Sequence, residues 1–338
     1  MSELDLSCNY LGLKLKSPLV PSSSPLSRSL DSARELEDAG AAAIVMYSLF
    51  EEELEHEDEM HARFVEEQSI GCAEADSYLP MHGTFERGID RYLRQLSELK
   101  AHLEIPVIAS LNGITLDNWI AHSKALQQAG ADALELNVYY MATDCELRSG
   151  EVEGRYIKLL RALKNEVSLP VAMKLSPQFS ALPHFVKELE AAGAAGVSLF
   201  NRFYQPDIDI DALKVTPQIQ LSRSADALLA MRWIGVLRDL SPITLAATGG
   251  IHTAEDAIKM ILAGADVTHL CSVLLESGSH TISEIYQGIE HWMEQQGFES
   301  LDQVRGVLSQ QNSQDEGRYE RANYLWVLDS YSAGEGVR

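Results

Sequence analysis

Ile243-Thr244-Leu245-Ala246-Ala247-Thr248-Gly249-Gly250-Ile251-His252-Thr253-Ala254-Glu255-Asp256-Ala257 passes from a short apolar run through two glycines into a helical pattern that Thr253 can cap. Paired glycines let backbone N–H groups come close to an anion, and the helix behind them adds a favourable field. About one strand–helix unit later, Cys271-Ser272 ends another apolar run and offers a second set of donors. In α/β barrels phosphate groups often rest on the loops after strands seven and eight. The two motifs therefore predict a cradle for a phosphorylated ligand at one end of a barrel.

The rest of the chain supplies the strands that such a barrel needs. Apolar or β-branched runs separated by longer helical patterns predict parallel strands at Ser17–Ser23, Ala42–Ser48, Pro106–Asn112, Ala133–Tyr139, Pro170–Ser176, Ala195–Asn201, Ile243–Thr248 and Asp266–Leu274. Helices repeatedly end in one phrase, Asp38-Ala39-Gly40-Ala41, Gln128-Ala129-Gly130-Ala131, Ala192-Gly193-Ala194 and Ala263-Gly264-Ala265, with Gly where a left-handed C-cap is needed. The predicted fold class is α/β, a TIM (β/α)8 barrel with an N-terminal hairpin and a C-terminal helical extension. Asn9-Tyr10-Leu11-Gly12-Leu13 reads as that hairpin, turning at Gly12 and plugging the N-terminal end of the barrel. The chain reads as a single domain, 1–338, with a barrel core over 17–296. Helices are expected near 282–296 and 301–308, and a mobile tail over 312–338. The stretch from Leu49 to Phe85 is too long for an ordinary strand–helix loop and is expected to build part of the site's rim.

Composition narrows the ligand. A formal charge of −23 argues against nucleic acid and anionic lipid as partners, because both need Lys and Arg to neutralise phosphates. A small-molecule substrate fits better. No apolar stretch is long enough to span a bilayer and the first residues carry no basic leader pattern, so a cytoplasmic location is expected. Cys8, Cys72, Cys145 and Cys271 lie far apart without metal-ligand spacing, and His56 and His61 do not share a helix face, so no metal is assigned. The block Glu51-Glu52-Glu53-Leu54-Glu55-His56-Glu57-Asp58-Glu59 either turns negative charge toward the site or forms a solvated acidic helix start.

Glu135-Leu136-Asn137, Val171-Ala172-Met173-Lys174-Leu175-Ser176-Pro177, Phe200-Asn201 and Thr248-Gly249-Gly250-Ile251 occur in that order at successive predicted strand ends. Together they resemble the dihydroorotate dehydrogenase family of FMN-dependent barrels. The resemblance runs from the hairpin near Leu11 through Leu275 and includes Ser17–Ser23 and Ser69-Ile70-Gly71. It implies FMN as cofactor, with Lys174 near the flavin ring, Asn137 and Asn201 bonding flavin or substrate, and the Gly249, Gly250 and Ser272 backbone on the phosphate. Ser22, Ser23, Ser48, Thr248 and Cys271 complete the cofactor-binding set that it implies. Dihydroorotate oxidation in pyrimidine biosynthesis is the activity implied, with a homodimer or a separate electron-transfer partner as possible company.

Departures from the family pattern fall on the substrate side. The family's Cys or Ser base aligns with Tyr140, an unperturbed Tyr titrates near 10 and is a weak base at neutral pH, and Cys145 is the other candidate. A second family Lys, at the end of strand two, aligns with Tyr47, and Tyr139-Tyr140-Met141-Ala142 replaces Asn-rich substrate contacts. The expected function is an FMN-dependent oxidoreductase with an altered substrate site. A non-catalytic FMN-binding scaffold or sensor is the alternative. A phosphate-binding aldolase with Lys174 as Schiff-base nucleophile is the third.

Overall fold

A computed structural model describes residues 4–52, 54, 88–113, 115–138, 140–202, 205–218, 220–314, 317 and 319–320. Strands β1 (Cys8–Tyr10) and β2 (Leu13–Leu15) pair as an antiparallel hairpin, and β3 (Leu19–Pro21) begins the barrel. Then follow β4 (Ile44–Phe50), β5 (Val107–Asn112), β6 (Ala133–Asn137), β7 (Val171–Leu175) and β8 (Gly196–Leu199). A second hairpin, β9 (Gln205–Asp209) with β10 (Lys214–Gln218), precedes β11 (Thr244–Thr248) and β12 (Val267–Leu270). The 8-stranded sheet has the order β3-β12-β11-β8-β7-β6-β5-β4, and its ladders are all parallel. Its two ends meet where the Ala42 amide donates to the Leu19 carbonyl at 2.9 Å, which brings the sheet round into the predicted barrel.

Helices α1 (Leu30–Asp38), α2 (Gly88–His102), α3 (Leu116–Gln128), α4 (Ser149–Lys164), α5 (Leu182–Ala191), α6 (Ala227–Leu237), α7 (Ala254–Ala263), α8 (Ser272–Ser277) and α9 (Thr281–Gln296) lie in the connections and after β12. Helix stripes such as Tyr156, Leu159, Leu160 and Leu163 on α4 are buried, and β6 and β7 are buried along their whole length, as expected for parallel strands covered on both faces. The Ala-Gly phrases end their helices as expected. Gly130, at φ +94°, turns the chain so that Ala131 is buried and the Asp132 amide reaches the Val107 carbonyl at 3.0 Å.

The N-terminal hairpin does plug the barrel. Its turn places both Leu11 (φ 55°) and Gly12 (φ 80°) in the left-handed region that a two-residue hairpin demands. Leu11 is buried against Gly196, where a Cβ would lie 2.6 Å from the leucine Cδ2, so only glycine fits at the foot of β8.

Several expectations need correction. The eighth strand stops at Leu270, and Ser272–Ser277 is already helical, because the apolar run Val273-Leu274 is one buried helix face. Only Leu301–Gln303 is helical in the stretch expected to be a helix to Leu308, since Gly306 at φ 76° reverses the chain. The β9–β10 hairpin was not foreseen, although Asp207-Ile208-Asp209-Ile210 alternates with the period of two that marks a strand. The rim segment expected over 49–85 lies outside the described residues beyond Leu54, as do Ser69-Ile70-Gly71, His56, His61, Cys72, Tyr139 and the tail from 321 onward.

Candidate active site

Parallel strands aim their C-terminal ends at one mouth of the barrel, and the residues ending β3, β4, β6, β7, β8, β11 and β12 line a cleft there in two connected lobes. The first lobe is about 580 Å³ and the second about 280 Å³, and both are bordered by Ser23, Lys174, Asn201 and Arg202. Asn137 and Ser48 line the first lobe, while Ser22, Thr248, Gly249, Gly250, Cys271 and Ser272 line the second. Thus one cleft collects all the side chains assigned from the sequence to a cofactor.

At the floor sits a buried charge pair. Lys174 Nζ donates to Glu135 Oε1 at 3.1 Å, with the two side chains 9% and 1% exposed. Ser198 Oγ donates to Glu135 Oε2 at 2.8 Å, and the Tyr10 hydroxyl of the hairpin plug lies 3.5 Å from Ser198 Oγ. Burial alone would raise the Glu135 carboxyl, but Lys174, His269 and these hydrogen bonds outweigh it and hold it below the usual carboxylate range. His269 stands 3.7 Å from Glu135 Oε2, edge-on to Tyr10 at 5.8 Å, and neither ring nitrogen has a hydrogen-bond partner. Burial pushes its pKa down to about 4 against the upward pull of Glu135, so the imidazole is neutral at pH 7 and Lys174 carries the charge that Glu135 needs.

The amides and hydroxyls above the floor are fixed by one another. Asn201 Nδ2 donates to Asn137 Oδ1 at 2.6 Å, and the Asn201 amide reaches the Leu175 carbonyl at 2.7 Å. Ser48 Oγ lies 3.1 Å from Ser23 Oγ and 2.8 Å from Ser110 Oγ, so the ends of β3, β4 and β5 are joined by hydroxyls.

In the second lobe Gly249 (φ 89°) and Gly250 (φ 77°) hold backbone that L side chains rarely adopt. A Cβ on Gly249 would meet nothing within 4 Å, whereas one on Gly250 would lie 2.4 Å from the Ala227 amide nitrogen. The first glycine therefore faces open cleft and the second is packed on α6. Thr253 caps α7 as expected, its hydroxyl accepting from the Asp256 amide at 3.2 Å. The Asp256 carboxylate itself takes the His252 and Thr253 amides, at 3.0 and 3.1 Å, so those donors are already used. Burial raises the Cys271 thiol above its ordinary value, with Lys174 pulling the other way, which leaves it protonated at neutral pH.

Ser222 was missed by the sequence reading. Its hydroxyl accepts from the Gly250 amide at 3.2 Å and donates to Ser272 Oγ at 2.8 Å, tying together the two motifs of the predicted cradle. Arg28 and Arg202, which also line the first lobe, were missed too. All three sit on connections, where no periodic pattern marks them.

The two residues named as candidate bases lie elsewhere. Tyr140 is half-buried under the Arg155 guanidinium, 4.3 Å from its ring centroid, and Cys145 is exposed. Neither borders either lobe. The acidic block also departs from both of its readings at its first residue. Glu51 is buried and accepts from the Thr115 amide at 3.0 Å and from the Thr115 hydroxyl at 2.9 Å, while Glu52 lines the first lobe. Residues 53 and 55–59 of the block lie outside the described residues.

Barrel, buried lysine–carboxylate floor, amide pair and glycine cradle make the C-terminal strand ends the candidate site of this α/β barrel. A sequence model of the dihydroorotate dehydrogenase family matches residues 5–293, and the chain belongs to that family. It is 27% identical over 316 residues to dihydroorotate dehydrogenase A (fumarate) of Lactobacillus delbrueckii subsp. bulgaricus, covering 89% of this chain and 97% of that one. It is 25% identical to the NAD-dependent dihydropyrimidine dehydrogenase subunit PreA of Escherichia coli, covering 90% of this chain and 77% of that one. The catalytic subunit of dihydroorotate dehydrogenase B (NAD(+)) of Thermoplasma acidophilum is 26% identical, with 90% and 98% covered. No helix among the described residues is long and apolar enough to cross a membrane.

Proposed function

We propose that this protein is an FMN-dependent oxidoreductase of the dihydroorotate dehydrogenase family whose substrate side has diverged. The supporting observation is Lys174, buried, charged and bordering both lobes. A cation fixed between the phosphate-type cradle and the larger lobe is placed to stabilise negative charge on a reduced flavin. The residues present fit the cofactor. Gly249 leaves open space where any side chain would intrude, Ser272 and Ser222 offer hydroxyls beside it, and Asn137 and Asn201 present amides along the way. FMN, when bound, supplies a two-electron acceptor for a hydride.

The chain's own contributions follow from the geometry. Glu135 holds Lys174 in place, Asn137 and Asn201 orient what enters the first lobe, and Ser22, Ser23, Ser48, Thr248 and Cys271 border the cofactor. A base drawn from Tyr140 or Cys145 must come in from the rim, because neither borders the cleft. That observation also favours a second reading, an FMN-binding scaffold or sensor without turnover. Anaerobic mixing with dihydroorotate and then with a range of other candidate reductants separates the two: bleaching of the flavin marks the enzyme, and a yellow colour that persists across all of them marks the scaffold. Relatives named as subunits make a separate electron-transfer partner part of the proposal, alongside a cytoplasmic setting and a homodimer.

Protein purified with FMN added is expected to be yellow with a flavin absorption band. A colourless protein after FMN addition would overturn the cofactor. Gly249→Ala adds a Cβ that touches nothing and strains only the backbone, by about 1–2 kcal/mol. It is expected to stay folded in a denaturant titration and to weaken FMN binding about tenfold or more. Gly250→Ala strains the backbone in the same way and also drives a Cβ into α6, so its unfolding midpoint is expected to fall further than that of Gly249→Ala.

A further inference from the structure

Among the described residues the first lobe is bordered by Arg28, Lys174 and Arg202 and by one acidic residue, Glu52, in a chain whose net charge is −23. Local positive charge against such a background selects a ligand by its sign. The three cations are not equivalent. Lys174 is committed to Glu135 at 3.1 Å, and Arg202 lies 4.0 Å from Asp226. Arg28 has no ion pair with a carboxylate among the described residues, Glu52 included.

Packing nonetheless holds Arg28 at the lobe. It ends a short 3-10 turn, Pro25–Arg28, whose start is capped by Ser24 and whose Ser27 hydroxyl accepts from the Tyr47 amide at 2.6 Å. Its guanidinium lies over the Tyr47 ring, 4.9 Å from the centroid. That ring is braced edge-on by the fully buried Tyr92 at 4.8 Å, and the Tyr92 hydroxyl accepts from the Ser110 amide at 3.0 Å. A guanidinium stacked on an aromatic face keeps its in-plane N–H fork available, and that fork matches a carboxylate.

We propose that Arg28, positioned by Tyr47, is a specificity-determining residue that binds the carboxylate of a small organic acid in the first lobe. The inference rests on the proposed function only in calling that acid the substrate. It divides the chemistries named for the relatives, since dihydroorotate carries a carboxylate and a dihydropyrimidine such as dihydrouracil does not. This chain falls on the acid side, through a residue on the connection after β3 and not through the loop after β6.

The test is calorimetric titration of the FMN-loaded protein with orotate and with uracil, two rings that differ by one carboxylate. Orotate is expected to bind about tenfold or more tightly than uracil, the scale of one charge-assisted hydrogen bond at an accessible site. Arg28→Gln is expected to remove most of that ratio while leaving uracil binding and flavin content unchanged. Tyr47→Phe is expected to preserve the ratio, and Tyr47→Ala to lower it through orotate alone with uracil binding unchanged, a selectivity that a merely structural role for the ring would not produce. Equal affinities in the wild type, no binding of orotate, or an orotate-to-uracil ratio untouched by Arg28→Gln would each overturn the proposal. Calorimetry does not need flavin, so a colourless protein that still binds orotate through Arg28 sinks the cofactor and keeps this inference. A yellow protein indifferent to the carboxylate does the reverse.

Discussion

Lys174→Met is expected to lower the unfolding free energy by about 3–5 kcal/mol, because it leaves the Glu135 carboxylate buried without its counter-charge. The pair lies at 3.1 Å with Glu135 1% exposed, so solvent screening cannot stand in for the lost ammonium. Ser198 would still donate at 2.8 Å, which limits the loss without removing it. Adding Glu135→Gln to the same chain removes the stranded charge, and the double variant is expected to recover most of the stability in a urea titration. It should recover none of the flavin reduction, since the buried ammonium of Lys174 is gone from both variants and only the half-exposed Arg202 is left as a cation bordering both lobes. Stability and chemistry are thereby separated at a single residue. A Lys174→Met protein as stable as the wild type would show that Glu135 does not depend on Lys174. A double variant that reduces flavin at the wild-type rate would remove Lys174 from the proposed mechanism.

The barrel was legible because its signals are local and repeated. Each Ala-Gly phrase closes a helix and each apolar run that follows is buried on both faces, so period and punctuation agree without tertiary information. Legibility failed where one local pattern serves two structures. Val273-Leu274-Leu275 continues the apolar run of β12, and only the chain's turn at Cys271 decides that it is helix. Leu301, Val304, Val307 and Leu308 have helical spacing, yet Gly306 at φ 76° breaks it.

A similar division runs through the site. Residues that end strands could be read from sequence, because strand order places them at one mouth: Asn137, Lys174, Asn201 and Thr248 are of this kind. Ser222 and Arg28 could not, since their positions depend on a hydroxyl meeting Gly250 and on a ring presented by β4. Glu51 looked like part of a charge run, and only the fold shows it turned inward to bind Thr115. His269 is the extreme case, a polar residue inside a parallel strand with nothing in its neighbours to announce a role.

That histidine gives the second large expectation, a loss of stability in mild acid. Its folded pKa is depressed to about 4 from an ordinary 6.5, so between those values the unfolded chain binds a proton that the folded chain refuses. Stability therefore rises with pH across that window and is lost as pH falls through it, by a total of about 3 kcal/mol at 1.36 kcal/mol per unit. Below the window both states carry the proton and the contribution stops changing. Other groups act in the same range: protonating carboxylates relieves the self-repulsion of a chain of net charge −23, which opposes the loss. The informative quantity is consequently the difference between wild type and His269→Gln, whose side chain fills similar space and does not titrate. This difference is expected to shift in favour of the variant as pH drops from 7 to 4. Glu135 adds a separate limb: its pKa is held low in the folded state, so its contribution is present above the ordinary carboxylate range and is lost as pH falls through the lower folded value. His269→Gln should weaken that lower limb while Lys174 and Ser198 maintain it, and Glu135→Gln should remove it. A difference between wild type and His269→Gln that stays flat from pH 7 to 4 would mean that the imidazole reaches solvent or a partner when charged, and its burial without a hydrogen-bond partner would not be what depresses its pKa.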